Sequence, residues 1–262
     1  MTEGGDKPLL SVRGVTVKFG GILALDAVTF DVPPGGVCGL IGPNGAGKTT
    51  LFNCLSRLYQ YQEGDILYEG RSITRTSVHE MARLGIGRTF QNLAMFRTLS
   101  VERNVMIGAH SRSQSGFASS ALGLGSVRAE EAVLRERAAS IMDYLRLTPH
   151  KDRLVADLPF GIQKRVELGR ALAADPKLLL LDEPAAGLNH EELSSLGDLI
   201  RDIRDRLGIT VLLVEHHMSL VMSVSDKVVA LNFGRRIAEG TPAEIQRHPD
   251  VIAAYLGAPA DA

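Results

Sequence analysis

Short apolar runs along the chain predict strands, and apolar positions three or four residues apart predict helices. Residues 10–17 and 28–32 carry the alternation of strands, and a Pro-Pro-Gly-Gly turn follows the second. Residues 37–41 form a short apolar run that ends at a glycine-rich segment. A helix is predicted to begin near Lys48, and its apolar face carries Leu51, Cys54, Leu55 and Leu58.

The middle of the chain changes character. After a predicted strand at 64–68 and a short helix at 78–84, residues 111–125 are rich in Ser, Gly and Ala and have no period. This composition predicts a flexible loop or a short insertion. Residues 128–145 return to helical spacing. We therefore predict a mostly helical subdomain at 92–157, inserted in an α/β core formed by residues 1–91 and 158–262.

The last third of the chain alternates between the two patterns. Apolar runs at 178–181, 210–214 and 227–231 predict buried strands, and residues 190–207 and 218–224 predict helices. Short apolar strands that alternate with helices imply a parallel sheet covered on both faces. The fold class is therefore α/β.

Composition narrows the class of protein. Lys and Arg number 29 against 30 Asp and Glu, so the chain lacks the basic excess of a nucleic-acid binder. No run approaches the ~18 apolar residues of a membrane-spanning helix, and the polar first residues predict no leader peptide. Cys38 and Cys54 lack metal or redox spacing and predict buried thiols in a reducing compartment. We expect a cytoplasmic protein that meets a membrane only through a partner.

Residues 42–49 match the phosphate-binding pattern GxxxxGK[ST], between a predicted strand and a predicted helix. The glycines let backbone amides turn toward phosphates, and the positive end of the helix dipole points at the same anion. Lys48 is expected to reach the β- and γ-phosphates of ATP, and the Thr49 hydroxyl to bind Mg²⁺. The residues of this loop expected to contact the nucleotide are Gly42, Pro43, Asn44, Gly45, Ala46, Gly47, Lys48, Thr49 and Thr50.

The loop alone does not distinguish kinases, GTPases and ATPases, and a pair of carboxylates makes the distinction. Asp182 and Glu183 follow the apolar run 178–181, at the carboxyl end of a core strand, where ligands lie in open α/β sheets. Asp182 is expected to hold Mg²⁺ and Glu183 to polarise the attacking water as general base. The structural alternative is an acidic pair that only caps the strand.

Over nearly its whole length the chain resembles the ATP-binding subunits of ABC transporters, whose other markers follow in family order. Gln91, in Arg-Thr-Phe-Gln, resembles the Q-loop glutamine that links Mg²⁺ and the attacking water to the helical subdomain. His216 stands at the switch position beside the γ-phosphate, and Phe19 where the family has an aromatic stacked on adenine. Residues 186–189 resemble the D-loop. Singly, Gln91 also fits a surface glutamine and His216 a core or capping histidine. Glu215 has no assigned role, and His217 is expected to be exposed.

The resemblance implies a P-loop NTPase fold of the ABC ATPase type. Its core has a parallel sheet, with an N-terminal antiparallel β subdomain and an inserted helical subdomain. It also implies two cassettes arranged head to tail, so that the signature segment of one cassette completes the ATP site of the other.

The signature segment departs from the family pattern LSGGQ. Here it reads Leu-Pro-Phe-Gly-Ile-Gln at 158–163, with Pro159 in place of the serine and Ile162 in place of the glutamine. Pro159 has neither a hydroxyl nor an N–H, whereas Gly161 and the start of a helix near Ile162 can still face the partner's ATP. Pro159, Phe160 and Gly161 are the expected contacts. A partly degenerate, regulatory cassette is one alternative that this departure leaves open.

Several phrases narrow the resemblance to branched-chain amino acid importers. They are Phe-Gly-Gly at 19–21, Arg-Thr-Phe-Gln-Asn at 88–92, Ala-Ala-Gly-Leu-Asn at 185–189 and the ending at 249–257. The implied partners are a second, homologous ATPase subunit, two membrane permeases and a periplasmic or lipid-anchored solute-binding protein. The chain would then lie on the inner face of the cell membrane. The alternatives are ATPases of urea or amide importers, of lipopolysaccharide export, or of non-transport ABC systems.

Overall fold

The computed structural model describes residues 7–89, 95–110 and 125–256. Within these ranges the strands are β1 (Leu10–Phe19), β2 (Ile22–Val32), β3 (Val37–Ile41), β4 (Glu63–Tyr68), β5 (Arg71–Ser72), β6 (Ile86–Arg88), β7 (Leu178–Asp182), β8 (Thr210–Val214), β9 (Lys227–Asn232) and β10 (Arg235–Gly240). The α-helices are α1 (Lys48–Leu55), α2 (Val78–Leu84), α3 (Val101–His110), α4 (Gly125–Tyr144), α5 (Phe160–Ala173), α6 (His190–Leu207), α7 (Met218–Val224), α8 (Pro242–Arg247) and α9 (Pro249–Leu256).

Most of the predicted elements are confirmed. The bounds of α2, α6, α7 and β8 agree with the sequence expectation, and β7 and β9 each extend one residue further. Helix α4 begins at Gly125 rather than at residue 128. The predicted loop or insertion at 111–125 lies, apart from Gly125, outside the described residues.

The chain divides into two compact units. One comprises Met1–Val78 and Leu180–Ala262, and the other is His79–Leu179. The predicted subdomain at 92–157 falls inside the second unit, and its bounds stay a prediction.

The first unit contains an antiparallel sheet and a mostly parallel one. The antiparallel sheet has the order β2-β1-β4-β5, and within this unit the other sheet runs β10-β9-β3-β8-β7. Strand β3 is buried along its length and pairs in parallel with both β8 and β9, as the apolar runs predict. The residues that follow β3 and β8 therefore emerge at one edge of the sheet.

The second unit is mainly helical, and α3, α4 and α5 pack against one another. Gly108 of α3 lies so close to α5 that a Cβ atom there would be 2.0 Å from the carbonyl oxygen of Arg170. Buried Asn104 donates from Nδ2 to the carbonyls of Phe96 and Ser100, both at 3.0 Å, and so fixes the entry into α3. None of the helices in the described ranges is long and apolar enough to cross a bilayer.

Candidate nucleotide-binding site

The glycine-rich loop leaves β3 at Ile41 and enters α1 at Lys48, as the sequence predicts. Gly47 caps α1 with a left-handed φ of 99°, and a Cβ atom there would meet the carbonyl oxygen of Ala24 at 2.7 Å. At Gly42 (φ 152°) a Cβ atom would lie 2.3 Å from the carbonyl oxygen of Leu231. Both positions therefore require glycine, for conformation and for space.

Two distant segments hold the loop from outside. The Gly42 amide donates to the Tyr255 hydroxyl at 2.8 Å, which ties α9 to the start of the loop. Burial raises the pKa of Tyr255, so this hydroxyl stays neutral at physiological pH. In the turn between β9 and β10, the Gly234 amide donates to the Ala46 carbonyl at 3.1 Å. The loop is thus fixed from both sides before any ligand arrives.

Lys48 is the buried cation of the loop, with 7% of its surface exposed. Its Nζ donates to the carbonyls of Gly42 at 2.6 Å and Pro43 at 3.0 Å. Burial lowers the pKa of Lys48, and the nearby charge of Glu183 partly offsets this effect. A phosphate anion would add a further counter-charge beside the buried ammonium group.

A pocket of about 380 Å³ opens over the loop. Loop residues from Asn44 to Thr50 line it, together with Glu183 from the end of β7 and with Ile22, Leu23, Ala24 and Phe233. The structure therefore brings the predicted phosphate loop and the predicted base together. Phe19 is not among the lining residues. Its ring packs edge-to-face on Tyr59 with centroids 5.3 Å apart, and its stacking on adenine stays a prediction.

The two carboxylates differ in environment. Asp182 is the last residue of β7 and is 3% exposed. Glu183 is partly exposed and takes a left-handed φ of 46°, with its amide donating to the Val214 carbonyl at 2.9 Å. Thr49 lies exposed in the first turn of α1. A threonine hydroxyl and an aspartate carboxylate are hard oxygen donors of the kind Mg²⁺ prefers, so the residues present fit this metal.

The segment after β8 begins with Glu215, for which the sequence predicts no role. Glu215 is fully buried, and its Oε1 accepts a hydrogen bond from the Ala185 amide at 2.6 Å. Its Oε2 accepts from the amides of His216 at 3.1 Å and His217 at 3.4 Å. The His216 side chain is half exposed. His217 is half-buried, which corrects the expectation of an exposed residue, because its ring lies against that of His216, with centroids 4.6 Å apart.

The predicted signature segment belongs to the second unit. Helix α5 begins at Phe160, two residues before the expected start near Ile162, because Pro159 takes the extended conformation of an N-cap. Gly161 is thus the second residue of the helix, and its amide precedes the first intrahelical hydrogen bond. Phe160 is half exposed. Gln91 lies outside the described residues.

Comparison with known proteins agrees with this geometry. A family model described as "ABC transporter" matches residues 25–186, and one described as "Branched-chain amino acid ATP-binding cassette transporter" matches residues 235–261. The chain is similar to the high-affinity branched-chain amino acid transport ATP-binding proteins LivG of Escherichia coli (strain K12), at 41% identity, and BraF of Pseudomonas aeruginosa, at 42%. Both matches span 251 residues and cover 96% of this chain and 98% of the relative.

Solved structures give the same result. A nucleotide-free ATP-binding cassette from an ABC transporter superposes with a TM-score of 0.83 at 30% identity, over 96% of this chain and all of the other. The ADP conformation of an ATP-binding cassette of an ABC transporter gives 0.83 at 31% identity, over 96% and 99%.

Proposed function

Because the chain belongs to the ATP-hydrolysing subunits of ABC transporters, in the group of LivG and BraF, we propose that it powers the import of branched-chain amino acids. The observation that carries the hydrolysis is the pocket in which the glycine-rich loop, Lys48 and Glu183 meet. The substrate class is supported by full-length similarity to relatives named for that transport and by the match at 235–261.

In this proposal Lys48 and the amides of residues 42–49 bind the phosphates of ATP, and Thr50 extends the contact along α1. Mg²⁺, when bound, neutralises phosphate charge, and Thr49, Asp182 and Gln91 hold it there directly or through water. Glu183 orients and deprotonates the attacking water, and His216 contacts the γ-phosphate. Phe19 stacks on the adenine.

The same subunit serves a partner through its signature segment. Pro159 offers no hydrogen-bond donor, so Phe160, Gly161 and the amino end of α5 contact the partner's ATP through backbone amides and the helix dipole. The ATPase core comprises residues 1–91 and 158–262, and the inserted helical subdomain 92–157.

The complete transporter contains a homologous second ATPase, two permeases and a periplasmic or lipid-anchored binding protein. The chain lies on the cytoplasmic face of the membrane and binds no nucleic acid.

The transporter reconstituted in proteoliposomes tests the proposal. Binding protein loaded with leucine, isoleucine or valine is expected to stimulate ATP hydrolysis and amino acid uptake, and Lys48→Ala is expected to abolish both. Stimulation by urea or short amides, or by lipopolysaccharide, in place of the amino acids would contradict the substrate class and favour the corresponding alternative.

A further inference from the structure

Glu215 joins the two segments that carry the proposed catalytic groups. Its fully buried carboxylate accepts from the Ala185 amide through Oε1 at 2.6 Å. Through Oε2 it accepts from the amides of His216 and His217 at 3.1 and 3.4 Å. Three amide donors around one carboxylate satisfy a charge that is costly to bury alone. The two segments lie 30 residues apart in sequence, so this side chain is a direct link between them.

The backbone of Glu183 depends on this link. Glu183 has a φ of 46°, a conformation that residues with a side chain rarely adopt and that persists only where the surroundings impose it. Its own amide is held by the Val214 carbonyl at 2.9 Å, and the amide two residues later is held by Glu215. Two hydrogen bonds therefore hold the backbone at this left-handed residue and just after it. Their acceptors belong to consecutive residues at the end of β8.

The other oxygen of Glu215 sets the start of the histidine segment. The side chain of His216 does not hydrogen-bond to it, since the separation between Nδ1 and Oε2 is 4.0 Å. The contact is made instead by the His216 backbone amide, while the imidazole packs against the ring of His217. Glu215 thus fixes where the His216 backbone lies without occupying its ring.

We propose that Glu215 is a positioning residue for ATP hydrolysis. It holds the backbones of Glu183 and His216 in a fixed position relative to each other. The inference rests on the proposed function, because the catalytic roles of Glu183 and His216 come from there. Glu215 acts through the backbones on either side of it.

Glu215→Gln is the sharpest perturbation, because it keeps the size of the side chain. The glutamine side chain has one oxygen and one NH₂ group. Its oxygen can accept a hydrogen bond either from the Ala185 amide or from the histidine amides. The NH₂ group then faces the remaining amide donors and cannot accept from them. We expect kcat for ATP to fall about 10- to 100-fold, the loss that follows a displacement of catalytic groups by about 1 Å. The KM for ATP is expected to stay within about twofold, because the phosphate loop is untouched.

Glu244→Gln is the matched control. Glu244 also accepts from a backbone amide, that of Thr241 at 2.7 Å, but in the cap of α8. It is expected to leave kcat and KM unchanged. If Glu215→Gln does not fold, Glu215→Asp keeps the charge but is one methylene shorter, and it is expected to show the same loss of kcat.

The experiment measures steady-state ATP hydrolysis by the complete transporter and includes Glu183→Gln in parallel. A selective fall in kcat for the Glu215 variant supports the proposal. A kcat within twofold of wild type, or parallel losses in kcat, ATP affinity and thermal stability, would overturn it. If Glu183→Gln itself hydrolyses ATP at the wild-type rate, the proposed function has failed instead, whatever the Glu215 variant does.

Discussion

Replacing Pro159 by serine tests how α5 begins. Pro159 is the N-cap residue of this helix, with φ −56° and ψ 149°, and no side chain caps the first turn. A serine hydroxyl in that position can accept a hydrogen bond from the amide of Gly161 or Ile162, which are the second and third helical residues. Pro159→Ala is the matched control, because it also removes the ring but supplies no hydroxyl.

The magnitude follows from two opposing terms. A serine N-cap stabilises a helix by about 1 kcal/mol relative to alanine. Either variant loses the proline ring, which increases the conformational entropy of the unfolded chain. This lowers the free energy of unfolding by about 0.4–1 kcal/mol. Pro159→Ser is therefore expected to be close to wild type in stability, and Pro159→Ala to unfold at a lower temperature. One kcal/mol corresponds to about 2–4 °C in Tm for a chain of this size.

The assay is thermal unfolding of the three proteins without nucleotide, followed by circular dichroism. A Tm for the serine variant that lies about 2–4 °C above that of the alanine variant supports the N-cap assignment. Equal Tm values for the two variants would rule out the N-cap assignment, because the hydroxyl would then have no first-turn amide within reach.

Three further predictions concern stability and thiol reactivity. Tyr255→Phe leaves the first amide of the phosphate loop without its acceptor and is expected to lower the free energy of unfolding by about 1–3 kcal/mol in urea titrations. Gly234→Ala is expected to lower the Tm of the protein more than Gly20→Ala does. Both glycines have a positive φ, but only at Gly234 would a Cβ atom lie 2.7 Å from a backbone carbonyl of β2. Equal Tm values for the two variants would contradict this expectation. Burial raises the pKa of Cys38 to about 12 and that of Cys54 to about 11, so neither is expected to react with a thiol reagent at pH 8 until the protein unfolds. Their contribution to stability is complete below pH 9 and is lost above it, as the unfolded chain releases its protons first.

The local pattern of apolar, capping and glycine residues predicts much of the fold. The capping box of Asn189 and Glu192 marks the start of α6, and Gly208 in the left-handed conformation marks its end. Both bounds of this helix can therefore be predicted from the sequence. Strands β7 and β8 are buried along their whole length and read as continuous apolar runs. The start of α5 was misplaced because Gly161, inside the first turn, resembles a loop residue.

Contacts distant in sequence were not predictable in this way. The hydrogen bond from Gly42 to Tyr255 spans 213 residues, and no local pattern indicates it. The sequence predicts no role for Glu215, because a lone carboxylate directly after an apolar strand is a weak signal. Only the fold shows that its oxygens face two backbone segments at once.

The proposed role of Glu183 is to activate water in a site that two cassettes complete together. Its most direct test is the oligomeric mass of Glu183→Gln, together with the partner ATPase, in the presence of ATP and Mg²⁺. We expect a stable, ATP-filled pair of cassettes with hydrolysis abolished, whereas the wild type separates after turnover. A variant that stays monomeric with ATP and hydrolyses it as fast as wild type would rule out this role of Glu183.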